Sequence, residues 1–342
     1  MCIKNNEIYI DTPLPLGMGS VKNHIIKKFS KRKKELSMSE IKKTAIIGMG
    51  ALGLLYGNKI KEEKGNDAVS FIVDEDRYLR YKDRHFSICN ENKSFNIELA
   101  DNAKPADLVI VAVKYNALES ALNTMRNVVD DHTIIMSVMN GITSEQIIGA
   151  SYGQSNIIYT VAQGMDAMRD GDSLTYTKMG ELRIGVKKGE DDTCLKKVIE
   201  FFDEIKMPYT VDDDIIYRMW GKFMLNVGIN QTCMIYETTY SGANSEGEAR
   251  DTLIGAMKEV ISIANAEGVA LSDTDIDYYL NITDSLDPNG YPSMRQDAIA
   301  KRKTEVDMFA GTVIEIAAKH GIDVPVNKRI YERVKEIEKD FV

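Results

Sequence analysis

From Thr44 onward, short apolar runs alternate with longer stretches of helical spacing. The first run, Ala45-Ile46-Ile47, closes on Gly48-Met49-Gly50-Ala51-Leu52-Gly53. Residues 54–64 then carry apolar side chains at helical intervals, and Gly65-Asn66 breaks the pattern. A second β-rich run, Val69-Ser70-Phe71-Ile72-Val73, ends on Asp74. Strand, tight turn, helix and strand within about thirty residues predict a βαβ unit. Residues 108–113 and 133–138 are apolar runs of the kind a buried parallel strand needs, with a polar helical stretch over residues 117–128 between them. Residues 157–161 predict another strand, residues 192–205 a helix, and Tyr209-Thr210-Val211 a last short strand. Two hairpins are expected, one over residues 86–99 with its turn at Asn90-Glu91-Asn92-Lys93, the other over residues 173–186.

Strands alternating with helices imply an α/β fold, a doubly wound Rossmann-type parallel sheet with right-handed crossovers. After Asp212-Asp213-Asp214 the pattern turns helical to the end. Ser245 with Glu248, and Ser293 with Gln296, match the spacing of a capping box. The sequence therefore predicts a dinucleotide-binding domain over residues 41–213 and an all-helical C-terminal domain over residues 214–342.

Composition narrows the class. A chain of 342 residues is long enough for two domains, and 44% hydrophobic with 28% charged residues is a globular mixture. The formal charge of −9 argues against a nucleic-acid partner. No apolar run is long enough to span a bilayer. Cys2, Cys89, Cys194 and Cys233 are scattered, so neither a metal centre nor a disulfide framework is expected, which fits a reducing cytoplasm. Residues 1–40 read differently, with Pro13, Pro15 and the basic Lys27, Lys28, Lys31, Arg32, Lys33 and Lys34. They are expected to form a disordered or loosely attached tail, or to precede a true start at Met38. They lack the apolar segment and cleavage site of a signal peptide.

The glycine turn is the first candidate for chemistry. Gly48-x-Gly50-x-x-Gly53 is weak anywhere, but here it follows a strand and opens a helix. Gly48 permits the turn, Gly50 lets a pyrophosphate approach, and Gly53 lets helix and strand pack. The helix N-terminus supplies free N–H groups for the phosphates. Asp74 stands where an acid meets a ribose 2′-hydroxyl, which favours NAD(H). Arg77 and Arg80, just downstream, could instead meet a 2′-phosphate, so the residues pull both ways on the cofactor.

A second constellation opens the helical part. Lys222, Asn226 and Asn230 are spaced i, i+4, i+8, so they lie along one helix face among apolar neighbours. A stripe of one amine and two carboxamides on a buried helix is costly without polar partners, and a ligand would provide them. The bland alternative is a solvated face. A later helix is expected from Ser293 to Asp307. Ser293 has the bland reading of an N-cap, and Glu305 that of a surface carboxylate paired with Arg302.

In this order and spacing the residues resemble the ketopantoate reductases, or 2-dehydropantoate 2-reductases. The likeness runs from about Lys42 to Glu338. It rests on Gly48-Met49-Gly50-Ala51-Leu52-Gly53, Val113-Lys114, Asn140-Gly141, the Lys222/Asn226/Asn230 helix, Ser293-Met294-Arg295-Gln296-Asp297 and Lys303-Thr304-Glu305-Val306-Asp307. The resemblance implies an NADPH-linked reduction of ketopantoate to pantoate, on the way to pantothenate and coenzyme A. It implies that Lys222 is the general acid and that Glu305 holds the substrate hydroxyl. It further implies that Asn140, Asn226, Asn230 and Ser293 touch substrate, and that Lys114 and Asn140 line the cofactor cleft. Two features depart from the family. Asp74 stands where many members have Arg, which leaves NAD(H) open beside the expected NADP(H) with Arg77 as a substitute cation, and residues 1–40 are an extension. A homodimer is compatible with the sequence but is not indicated by it. The alternatives are a reductase of another 2-keto acid, and a dinucleotide-binding regulator without turnover, against which the presence of Lys222 and Glu305 both count.

Overall fold

The structure, a computed structural model, describes residues 40–341 together with the backbone of Cys2–Lys4 and Glu7–Tyr9. The chain divides into two units, Met1–Glu40 and Ile41–Val342. In the first, Cys2–Lys4 and Glu7–Tyr9 pair as antiparallel strands. The expectation of a tail over residues 1–40 otherwise lies outside the described residues.

The second unit opens with β1 (Thr44–Ile47), α1 (Ala51–Lys64) and β2 (Val69–Val73), the βαβ unit the apolar pattern predicts. Next come α2 (Glu75–Tyr81), β3 (Phe86–Ile88), β4 (Glu91–Lys93), β5 (Ile97–Leu99), β6 (Leu108–Val111) and α3 (Leu118–Thr124). β7 (Ile134–Ser137), α4 (Ser144–Tyr152), β8 (Ile157–Gln163), β9 (Met168–Asp170) and β10 (Ser173–Thr175) follow. β11 (Glu181–Gly185), α5 (Thr193–Glu204) and β12 (Tyr209–Val211) complete this part.

Eight strands form one sheet in the order β12-β11-β8-β7-β6-β1-β2-β5. From β5 to β8 every neighbouring pair is parallel. Each residue of β1, β2, β6 and β7 is buried, because helices or loops cover both faces. The period of two divides their side chains. Ile46, Ile110 and Met136 pack with Leu54 and Leu55 of α1 and Phe201 and Phe202 of α5. Ala45, Ile47, Val109 and Ile135 pack on the other face with Leu118 and Ala121 of α3 and Ile148 of α4.

The sheet is mixed rather than wholly parallel. β11 runs antiparallel to β8, and β12 runs parallel to β11. No helix connects β8 to β11, so the chain returns in the opposite sense, whereas α5 provides the crossover between β11 and β12. Both expected hairpins are corrected. β3 and β4 do pair, but they turn at Cys89 and Asn90, whose φ angles are 48° and 71°. β5 leaves them to join β2 at the main sheet's edge. Over residues 173–186 there is no hairpin. β10 pairs with β9 across a turn at Gly171 (φ 54°) and with β3, while β11 pairs with β8. Asp170 pairs with Ser173, so the loop is Gly171-Asp172, and glycine at its first position sets that register.

The remaining helices are α6 (Ile215–Ile235), α7 (Tyr240–Asn244), α8 (Glu248–Ala266), α9 (Asp273–Asp284) and α10 (Ser293–Ile299). A π-helical turn (Asp307–Gly311), α11 (Thr312–His320) and α12 (Pro325–Ile337) follow. Asp214 caps α6 by accepting from Tyr217 N at 2.9 Å. α6 is the buried axis of this part. A Cβ on Gly221 would strike Tyr279 of α9, and one on Gly228 would strike Leu253 and Met257 of α8, so these glycines set how closely the helices approach. Neither expected capping box forms. Ser245 ends α7, and Ser293 is the first residue of α10, after Pro292. The capping box is at Ser272 and Asp275. The helix expected from Ser293 to Asp307 stops at Ile299, with Lys301 at φ 52°, and helical geometry resumes at Asp307.

Candidate active site

The carboxyl ends of β1, β2, β6 and β7 share one rim of the sheet, and the chain leaves them through Gly48, Asp74, Lys114 and Asn140. The path from β1 goes first to β2 on one side and later to β6 on the other, which opens a crevice at that rim.

The three glycines of the turn are glycine for different reasons. Gly48 has φ 108°, and a Cβ there would overlap the Ala112 carbonyl. A Cβ on Gly53 would overlap the Gly48 carbonyl oxygen. Gly50 has ordinary extended backbone, φ −71° and ψ −171°, and the nearest atom to an added Cβ would be 3.8 Å away. Nothing in the protein requires glycine at position 50, so the vacant space lies outside it. α1 has no side-chain cap, which leaves its first-turn N–H groups available for an anion. Vacant space above uncapped N–H groups fits the pyrophosphate of a nicotinamide dinucleotide. Met49 is buried, and Ala51 and Leu52 pack against the same core, so these residues offer backbone rather than side chains.

Asp74 caps α2. Its carboxylate accepts from Arg77 N at 2.8 Å and pairs with the Arg77 guanidinium. The two residues expected to choose the cofactor thus hold each other.

Lys114, Asn140, Lys222 and Glu305 converge at the rim. Lys222, on α6, donates from Nζ to Asn140 Oδ1 at 3.1 Å and to the main-chain carbonyl of Ala162 at 2.5 Å. Shielding from water lowers its pKa to about 8, a shift that the Glu305 charge opposes. Glu305 lies in the turn before the π-helix, where its carbonyl accepts from Met308 N and Phe309 N, each at 3.0 Å. Burial pushes its carboxyl above the usual range, against the pull of Lys114, a hydrogen bond with Asn140 and the charge of Lys222. One amide, Asn140, therefore touches both ionisable groups. The helix face continues the polar string. Asn226 Nδ2 reaches Asn140 Oδ1 at 3.5 Å, and Asn230 Nδ2 donates to Asn226 Oδ1 at 3.2 Å. Ser293 Oγ and Met294 N both reach Asn230 Oδ1 at 3.4 Å. Asn140, Gly141, Thr160, Lys222 and Asn226 line a narrow crevice, and Asn230 lies deeper, engaged on both sides of its amide.

Four participants carried no assignment from sequence. Asp297, one turn after Ser293 on α10, pairs with Lys114 Nζ at 2.5 Å and Arg302 Nε at 2.9 Å. Its i+4 spacing from Ser293 was available as a signal. The Ala162 carbonyl has none. Glu145, 2% exposed, takes a hydrogen bond from Ser144 Oγ at 2.8 Å and another from the Thr160 backbone. Ser144 Oγ lies 2.8 Å from Ser137 Oγ, which accepts from Met139 N at 3.4 Å, so this buried chain braces the turn that carries Asn140. Arg169 of β9 reaches the Met49 carbonyl from 120 residues away.

Residues 44–189 match the family profile described as ketopantoate reductase PanE/ApbA, and residues 214–338 match its C-terminal profile. The chain belongs to the ketopantoate reductase family. A 2-dehydropantoate 2-reductase of Streptococcus pyogenes serotype M3 is 23% identical over 294 residues, which span 84% of this chain and 95% of that protein. Among solved structures, the chain resembles D-mandelate dehydrogenase in ternary complex with NADH and anilino(oxo)acetate, with TM-score 0.78 and 22% identity over 87% of this chain and 99% of that one. It also resembles a dimeric ketopantoate reductase from Staphylococcus aureus, with TM-score 0.73 and 18% identity over 88% and 100%. At these identities the structures establish the fold: a parallel-dominated mixed sheet in a Rossmann-like domain, then a helical domain. The family is one of oxidoreductases. No helix among the described residues is long and apolar enough to cross a membrane.

Proposed function

We propose that the protein reduces the 2-keto group of ketopantoate to the 2-hydroxy acid pantoate with a reduced nicotinamide dinucleotide. The observation that carries this reading is Lys222, an ammonium held by neutral oxygens at the crevice beside Glu305. The dinucleotide, when bound along Gly48, Gly50, Gly53 and the cleft residues Lys114 and Asn140, supplies the hydride. Lys222 is the general acid. It points at the developing alkoxide, stabilises the charge, and delivers the proton from Nζ. Asn140 aims the ammonium. Glu305, ionised, accepts a hydrogen bond from the substrate's C4 hydroxyl, and Asn226, Asn230 and Ser293 provide further polar contacts on the α6 and α10 side. Asp74 and Arg77 decide between NADH and NADPH according to whether their mutual pair holds or opens around a 2′-phosphate.

A second reading has two observations in its favour. The likeness to D-mandelate dehydrogenase with NADH, together with Asp74, points to a 2-keto acid that lacks the C4 hydroxyl and to NADH. Absorbance at 340 nm separates the two, with ketopantoate and an arylglyoxylate each offered alongside NADPH and NADH. Turnover favouring ketopantoate supports the first reading, and turnover only with the arylglyoxylate replaces it. Gel filtration with light scattering settles whether the protein is a homodimer, as the S. aureus relative is.

A further inference from the structure

The cations that follow β2 in sequence are largely committed elsewhere, and Arg80 lies 5.9 Å from the ring centre of Tyr81. A dinucleotide brings at least two negative charges to α1, and the helix N-terminus offsets about half a charge. Arg77, the nearest cation in sequence to the end of β2, is engaged with Asp74. Arg84, farther along, donates from Nη1 to both carboxylate oxygens of Asp172, at 2.7 and 2.9 Å.

Arg169 is placed differently. It comes from β9, in the small four-stranded sheet. Its Nε donates to the Gly171 carbonyl at 2.8 Å, its Nη1 donates to the Met49 carbonyl inside the glycine turn, and its guanidinium lies 5.7 Å from the Phe86 ring centre. These contacts fix the guanidinium plane without neutralising it. Among the described residues Arg169 forms no ion pair, and its Nη2 has no partner. A half-buried, preorientated guanidinium with one unused amino group, bonded to the turn that Gly50 leaves open, is a phosphate ligand in waiting.

We propose that Arg169 binds a phosphate of the dinucleotide, either the pyrophosphate or a 2′-phosphate, and so supplies a cation to the cofactor site. The proposal rests on the dinucleotide-dependent function proposed above. Each carbonyl contact leaves the charge free, so phosphate binding requires no break in the anchor.

Calorimetric titration of the full chain with NADH and with NADPH tests this without turnover. Arg169→Gln keeps an amide donor for the Met49 carbonyl and removes the charge. It is expected to weaken binding roughly ten- to hundredfold. Equal loss for both dinucleotides assigns the pyrophosphate, and loss confined to NADPH assigns the 2′-phosphate. Arg169→Lys, which restores the charge, is expected to recover part of the loss. The unaltered protein provides a measurement that no folding defect can spoil, because its affinity must fall as salt rises. Wild-type binding that ignores salt, or an Arg169→Gln variant within twofold of wild type for both dinucleotides, overturns the assignment alone. A wild-type protein that binds neither dinucleotide overturns the proposed function and this assignment together.

Discussion

The ammonium of Lys222 lies 3.1 Å from the Oδ1 of Asn140, an acceptor that carries no charge. Its second acceptor, the Ala162 carbonyl, is neutral too. A buried lysine paired with a carboxylate would be held well above neutrality. This one is drawn down to about 8, within reach of a proton transfer near physiological pH. An acid of that kind is replaceable in the fold but not in the chemistry. Lys222→Met is expected to lower kcat/KM by roughly a hundred- to ten-thousandfold, the range of general acid catalysis. Dinucleotide affinity should stay within about threefold, an estimate that follows from removing a group aimed at the substrate rather than the cofactor. Steady-state rates at 340 nm and calorimetry give the two numbers. Turnover near the wild-type value would remove Lys222 from its assigned role.

The pH profile follows from the same two groups. Lys222 must be protonated to act, so kcat/KM should fall as pH rises through about 8. Glu305 must be ionised to accept a substrate hydroxyl, so the rate should also fall at the acidic end, at a pH above the ordinary glutamate value because burial raises this carboxyl. In Glu305→Gln the acidic limb should disappear while the alkaline limb persists. A variant that kept both limbs would assign the acidic one to another group.

The sheet and the glycine turn were legible because both rest on local patterns. Ala45-Ile46-Ile47 before Gly48, and Val69–Val73 before Asp74, need only the apolar run and the punctuation beside it. The misread hairpins needed knowledge of which strands pair. β5 and β11 both belong to the large sheet, and no feature of residues 97–99 or 181–185 says so. The Lys222, Asn226 and Asn230 stripe was visible as helical spacing on α6. Glu305 was placed on the wrong element, because the break after Ile299 turns on the positive φ of Lys301, which a lysine does not advertise. The Ala162 carbonyl and Arg169 stayed invisible for a plainer reason. A backbone acceptor has no letter in the sequence, and a side chain that reaches across 120 residues has no spacing to read.

Gly50 and Gly53 differ by three positions and should respond oppositely to alanine. A Cβ on Gly53 meets the Gly48 carbonyl, so Gly53→Ala must displace backbone and is expected to cost about 1–3 kcal/mol in urea unfolding. A Cβ on Gly50 meets nothing nearer than 3.8 Å, so Gly50→Ala should leave stability almost unchanged. Its effect should be on ligand, with dinucleotide affinity roughly tenfold weaker or worse, since the methyl fills space that a phosphate would use. Loss of stability without loss of affinity in Gly50→Ala would mean that the space above the turn is not the pyrophosphate site.

Glu145 offers a prediction on stability rather than rate. Burial raises its carboxyl pKa to about 7, although Ser144 and the backbone of Thr160 stabilise the charge. In the unfolded chain it titrates near 4.5. Between those values the folded protein holds the extra proton, so stability must fall as pH rises through the window. Below about 4.5 there is no cost, and above about 7 the cost is complete, roughly 3 kcal/mol. Glu145→Gln cannot ionise and loses that slope. Urea melts of both proteins at intervals from pH 4.5 to 7.5 should therefore show the variant gaining on the wild type as pH rises, whatever fixed penalty the amide brings. Two curves that stay parallel would show that Glu145 titrates alike in the folded and unfolded chains, and that the bracing of the Asn140 turn does not depend on its charge.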